Sequence, residues 1–129
     1  MFRLVKVLNG NNQYEVMKIR ALASSSILPG SPLVASSGNV TNSSATVCPD
    51  YVSLSGNTNG EANVEVMHVT EDMIFKVEYT GTTAPAVGMT VGMSNYKGKM
   101  DGVTYSSSGK GKIVALGDDP QYVYVRFRK

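Results

Sequence analysis

The chain has 129 residues, 42% of them apolar and 17% charged, with a formal net charge of +2. That length makes one domain, which buries roughly two-thirds of its unfolded surface. The low charged fraction is filled by Ser, Thr, Asn and Gly, which suits a turn-rich β protein and excludes a helical bundle built from Ala, Leu, Glu and Lys.

Lys and Arg are spread along the chain rather than gathered into the dense run expected of a nucleic-acid binder, the nearest to a cluster being Arg126, Arg128 and Lys129. The only cysteine is Cys48, so no intramolecular disulfide can form. No stretch approaches the ~20 apolar residues of a membrane span, and Met1 to Leu8 is too short and too charged to read as a signal peptide. The expectation is a protein made and folded in a cytoplasm, with no membrane and no nucleic acid among its partners.

In chain order, Phe2 to Leu8 reads as a strand and Asn9-Gly10-Asn11-Asn12 as a tight turn, because Asn and Gly tolerate the positive φ that hairpins demand. Gln13 to Ala21 is the return strand. Residues 1–21 are therefore expected to form an N-terminal β-hairpin or arm, with 22–129 as the core of the fold. Ser24 to Ser44 is rich in Ser, Gly, Pro and Asn and is expected to be mostly loop, with a brief strand at Pro32-Leu33-Val34-Ala35.

Ala45 to Leu54 is a short strand region broken at Pro49. Ala62 to Thr70 and Met73 to Tyr79 are the strands of the middle, with Glu71-Asp72 as the turn of a hairpin between them. In the second, Met73, Phe75, Val77 and Tyr79 alternate with Ile74, Lys76 and Glu78, the period of a strand with one buried face. Val87 to Met93 is a strand weakened by glycines. Lys97 to Gly111 is a long Gly- and Ser-punctuated stretch with a strand near Val103-Thr104-Tyr105.

The closing segment is the clearest. Lys112 to Leu116 is an apolar run and Gly117-Asp118-Asp119-Pro120-Gln121 a turn cluster. In Tyr122 to Arg128, Val123, Val125 and Phe127 face one way and Tyr122, Tyr124, Arg126 and Arg128 the other. Short strands at near-regular spacing make the fold class all-β: a small single-domain barrel or sandwich with an N-terminal β-hairpin and long Ser/Gly-rich loops.

Reactive constellations do not assemble. His68 is the only histidine and lies on the same strand face as Val64 and Val66, which reads as a partly buried structural residue rather than a general base. Cys48 before Pro49 reads as a small hydrophobe. Gly109-Lys110-Gly111-Lys112 fails the spacing of a phosphate loop and reads as a flexible basic turn. The acidic pairs Glu71-Asp72 and Asp118-Asp119 fall at turns, with no histidine or cysteine beside them to suggest a metal site. The reading is a non-enzymatic protein with no catalytic residues, no cofactor and no metal.

One layout recurs from residue 27 to residue 127: Ile27-Leu28-Pro29-Gly30 at its opening, Pro49-Asp50-Tyr51-Val52, the strands from Val64 and from Phe75, Val87-Gly88 after a Thr/Ala-rich loop, and Val123-Tyr124-Val125-Arg126-Phe127 at its close. This resembles the small capsid decoration (cement) proteins of tailed bacteriophages. The resemblance implies a protein on the outside of the virion, a trimer that binds the major capsid shell and locks neighbouring subunits together. Tyr and Arg are the types enriched at interface hot spots. The contact is therefore expected at Phe2 and Arg3 of the N-terminal segment and at Tyr122, Tyr124, Arg126 and Arg128. The alternative is a carbohydrate-binding or tail-associated adhesion module whose site lies in the Ser24–Ser44 and Lys97–Lys110 loops, lined by Tyr96 or Tyr105.

Overall fold

In the last strand Val123, Val125 and Phe127 are at most 1% exposed while Tyr122, Tyr124 and Arg126 alternate with them as half-buried residues. A row of branched and aromatic side chains on one face is what a strand needs to bury that face against a core. The same alternation, repeated strand after strand, builds the fold. The computed structural model describes residues 1–8, 14–21, 26–56, 63–96, 99–119 and 121–128.

Among these are eleven strands and no helix: β1 (Arg3–Val7), β2 (Val16–Arg20), β3 (Pro32–Ser36), β4 (Asn39–Asn42), β5 (Tyr51–Ser53), β6 (Asn63–His68), β7 (Met73–Tyr79), β8 (Thr90–Tyr96), β9 (Lys99–Tyr105), β10 (Gly111–Leu116) and β11 (Tyr122–Phe127). No helix is therefore long and apolar enough to cross a membrane.

The first sheet runs β1-β7-β11-β10-β8-β9, and β7 also pairs in parallel with β9 at Glu78↔Gly102 and Tyr79↔Val103. That second pairing closes five strands into a barrel, with β1 added along the first half of β7. Closure demands strong coiling, and register shifts in β1, β8 and β10 supply the bulges that bend a sheet. The barrel interior holds Phe75, Val77, Val91, Met93, Val103, Ile113, Val123, Val125 and Phe127.

The second sheet, β2-β6-β5-β3-β4, is antiparallel throughout. A parallel bridge between Ala21 and Val40 draws its two edges together around a smaller core of Ala21, Ile27, Leu33, Val40, Val64 and Val66. The two cores share a wall. On β6, Val64 and Val66 face the small core, whereas Met67 packs into the main core beside Val52 of β5, its direct cross-strand partner. The central strands of this sheet are thus covered on both faces, and the molecule is one small domain of a closed barrel plus a curled sheet.

The all-β class, the closing β10–β11 hairpin and the alternation of β7 are as expected. Two expected hairpins are not formed. The N-terminal segment supplies two strands, but β1 joins β7 and β2 joins β6, in different sheets. The core-facing Phe2 and Val7 belong to the main core, while Met17 and Ile19 pack against the small one, so a hairpin could not serve both. The expected turn at residues 9–12 lies outside the described residues.

Likewise β6 and β7 part company at Glu71-Asp72. Two-residue hairpin turns need positive φ, and Ser37 is the only non-glycine residue to adopt it among the described residues. That turn, Ser37 (φ 49°) and Gly38 (φ 82°), joins β3 to β4 across Ser36↔Asn39. Much of the expected 24–44 loop is therefore a hairpin. It was hidden because β4 carries a single apolar residue, Val40.

Candidate interaction surface

The strands that enclose the barrel turn their other faces outward, and register decides which side chains meet there. Residues directly opposite across antiparallel strands share a face. Arg3 of β1 lies opposite Lys76 of β7, and Lys76 opposite Tyr124 of β11. Arg126 lies opposite Lys112 of β10, and Lys112 opposite Thr90 of β8. The outward face thus gathers Arg3, Lys76, Lys112, Arg126 and the two tyrosines from four strands. The cations that look scattered in sequence are brought together by pairing.

This face is partly ordered from within. The Lys76 ammonium sits 4.6 Å from the centre of the Tyr122 ring, a cation–π contact. The Arg126 guanidinium donates from Nε and Nη2 to the Glu71 carbonyl oxygen at 3.0 and 2.8 Å. Both bonds tie the strand face to the β6–β7 turn. Yet Arg3 opposite Lys76 and Lys112 opposite Arg126 are like-charge pairs, which cost roughly 0.2–1 kcal/mol each on a sheet surface.

At the open end of β10 and β11 the face deepens into two adjoining hollows. One, of about 340 Å³, is lined by Glu71, Lys112, Val114, Arg126, Phe127 and Arg128. The other, of about 260 Å³, is lined by Thr90, Lys110, Lys112, Arg128 and the glycines around Lys110. Lys112 and Arg128 stand between them. The Gly109–Lys112 stretch, expected to be a flexible turn, is packed: a Cβ at Gly109 would lie 2.1 Å from the Val91 carbonyl oxygen. Only glycine permits this approach, and it fixes the base of Lys110.

Of the six contact residues expected from sequence, Arg3, Tyr122, Tyr124 and Arg126 share this face, and Arg128 follows at its end. Phe2 does not belong to it. Its side chain is 2% exposed and forms an aromatic cluster with Phe75 and Phe127, at centroid distances of 6.3 and 5.7 Å. Sequence reasoning missed Lys76, Lys110 and Lys112 as members of the face. The polar half of the β7 alternation was the available signal for Lys76.

The other expectations can also be located. His68 is half-buried, with Nδ1 3.4 Å from the exposed Glu15 carboxylate and its ring 5.7 Å from that of Tyr51. Neither neighbour is a serine, threonine or cysteine that the imidazole could activate. Cys48 is half-buried against the main core. Among the described residues no group of three or more His, Cys, Asp or Glu could hold a metal ion. Tyr96 and Tyr105 fall at opposite ends of the β8–β9 ribbon, in register with Lys99 and Val91 respectively. Five residues of strand, about 17 Å, separate those positions, so the two tyrosines do not line one sugar-sized patch.

An acidic feature lies inside. Glu78 and Asp101 are buried, and the Met1 ammonium group donates to Glu78 Oε2 at 2.5 Å and to the Asp101 carbonyl oxygen at 2.8 Å. Ser31 Oγ, itself buried, donates to Asp101 Oδ1 at 3.0 Å. These bonds satisfy groups that would be costly to bury unpaired, and they fasten the start of the chain between the barrel and the second sheet.

No family model matches the chain, and no curated protein matches it in sequence. Among solved structures, the fold is similar to that of the head fiber gp8.5 N base of bacteriophage phi29, with a TM-score of 0.56 and 17% sequence identity over 88% of this chain and 95% of that one.

Proposed function

We propose that this chain is a non-enzymatic structural protein of a tailed-phage head, which binds the outside of the assembled capsid and stabilises contacts between major capsid subunits. The observation that carries the reading is the fold likeness over 88% of the chain to the head fiber gp8.5 N base of bacteriophage phi29. The resemblance of the sequence layout to that of decoration proteins points the same way. The outward face of β1, β7, β11 and β10, with its tyrosines and cations, is the contact surface. As a homotrimer the protein would engage several subunits at once, and linking weak contacts raises overall avidity by ~10²–10⁴ without new chemistry.

The test is co-sedimentation of the purified chain with heads of the phage that encodes it, in parallel with free major capsid protein. Saturable pelleting with heads, and little association with free subunits, is the expected result. A chain that stays in the supernatant with heads at micromolar concentration contradicts the reading.

A further inference from the structure

We infer that the groove at the open end of β10 and β11 is a carboxylate-binding site, built from Lys110, Lys112, Arg126 and Arg128, that receives acidic side chains of a protein partner. On the head reading above, on which this part rests, that partner is the capsid shell.

Four cations from three chain segments converge there: Lys110 from the β9–β10 turn, Lys112 from β10, Arg126 and Arg128 from the end of β11. The adjoining hollows of about 340 and 260 Å³ share Lys112 and Arg128, so they act as one groove with room for more than one side chain. Lys112 sits directly opposite Arg126 on neighbouring strands. This repulsion disfavours the folded chain alone and is relieved when an anion lies between the two. Arg126 is already oriented, because the Glu71 carbonyl holds two of its five N–H donors. An orientation fixed before binding reduces the ordering cost that a flexible cation would incur.

The groove favours discrete carboxylates over a polyanionic strand. The half-buried Val114 gives it an apolar side that a carboxylate-tipped aliphatic chain fits better than a sugar–phosphate does. The whole chain carries a formal charge of only +2, too little to hold a long nucleic acid by counterion release. Guanidinium groups pair with carboxylates in a two-bond geometry, which makes such a site selective as well as charged.

Two measurements test this. In the first, affinity for heads is compared between wild type, Lys112→Glu/Arg128→Glu in the groove, and Lys18→Glu/Arg20→Glu on β2, which carries the same charge change on the other sheet. The groove pair should lose about 100-fold or more and the β2 pair about threefold or less, with both retaining a cooperative melt. Equal losses in the two pairs, or none in the groove pair, overturn the proposal while leaving the head reading standing.

The second measurement needs no heads: a hexaglutamate peptide and a DNA duplex of matched charge are titrated into the labelled protein and followed by amide NMR. Peptide-induced shifts concentrated at 110–112 and 126–128 support the groove, even if wild type binds no heads and the head reading fails. Tighter binding of the duplex overturns it in favour of nucleic acid. Absence of shifts at those amides, or a concentration-dependent self-association that Lys112→Glu abolishes, also overturns it.

Discussion

Replacing Phe2 with alanine should cost the protein about 3–5 kcal/mol of stability, an unusual penalty for the second residue of a chain. The ring is 2% exposed and touches Phe75 and Phe127, which themselves stand with centroids 6.0 Å apart. Truncation removes roughly 100 Å² of buried apolar surface, about 2.5 kcal/mol at 25 cal/mol per Å². The cavity left between two rigid rings adds the remainder. Unfolding entropy near 2.1 cal/mol/K per residue, over 129 residues, converts this into a fall in Tm of about 10–20 °C. The backbone bond from the Phe2 N–H to the Gly30 carbonyl oxygen, 2.8 Å, is kept in the variant, so the change isolates the side chain. Phe2→Leu, which keeps most of the volume, should cost only about 1–1.5 kcal/mol. Calorimetry and urea titration of the three proteins decide it. A Phe2→Ala loss below about 1 kcal/mol would refute the placement of this residue in the core and return the first strand to the role of a detachable arm.

Gly109→Ala should destabilise by about 2 kcal/mol or more because its Cβ meets the Val91 backbone, whereas Gly38→Ala, in open space at positive φ, should cost only about 1 kcal/mol; urea midpoints separate the two. Met67→Ala should cost about 2–4 kcal/mol and leave unfolding as a single transition, since that side chain joins the second sheet to the barrel core; two resolved calorimetric transitions would contradict the shared wall. Arg126→Ala with Arg128→Ala should weaken head binding by about tenfold or more while shifting Tm by no more than a few degrees; an unchanged sedimentation isotherm would remove this face from the contact.

Local pattern carried the fold as far as single strands. The alternation of Val123, Val125 and Phe127 with Tyr122, Tyr124 and Arg126 states both the strand and its buried face, and the Gly117–Gln121 cluster marks the hairpin that precedes it. Partnership between strands is a different matter. Nothing local to Phe2–Val7 or Val16–Arg20 says that each will pair with a strand some fifty to seventy residues away, because those pairings are chosen by which core accepts the side chains. The small core hid β4, where Val40 alone faces inward.

The outward face was half legible for the same reason. Tyr124 and Arg126 declare an outward side on their own strand. Lys76 and Lys112 join them only through register, which composition cannot express. Phe2 was misread because the N-terminal segment reads as an arm, and only the packed rings of Phe75 and Phe127 reveal its place.

The proposed position on the outside of a phage head is open to direct test by cryo-electron microscopy of heads from the phage proposed to encode the chain. Expected is density for a barrel with a curled second sheet on the outer capsid surface, in symmetric clusters, with the β10–β11 groove turned toward the shell. Heads that carry no such density, with the chain found instead in the tail or absent from the virion, would contradict it.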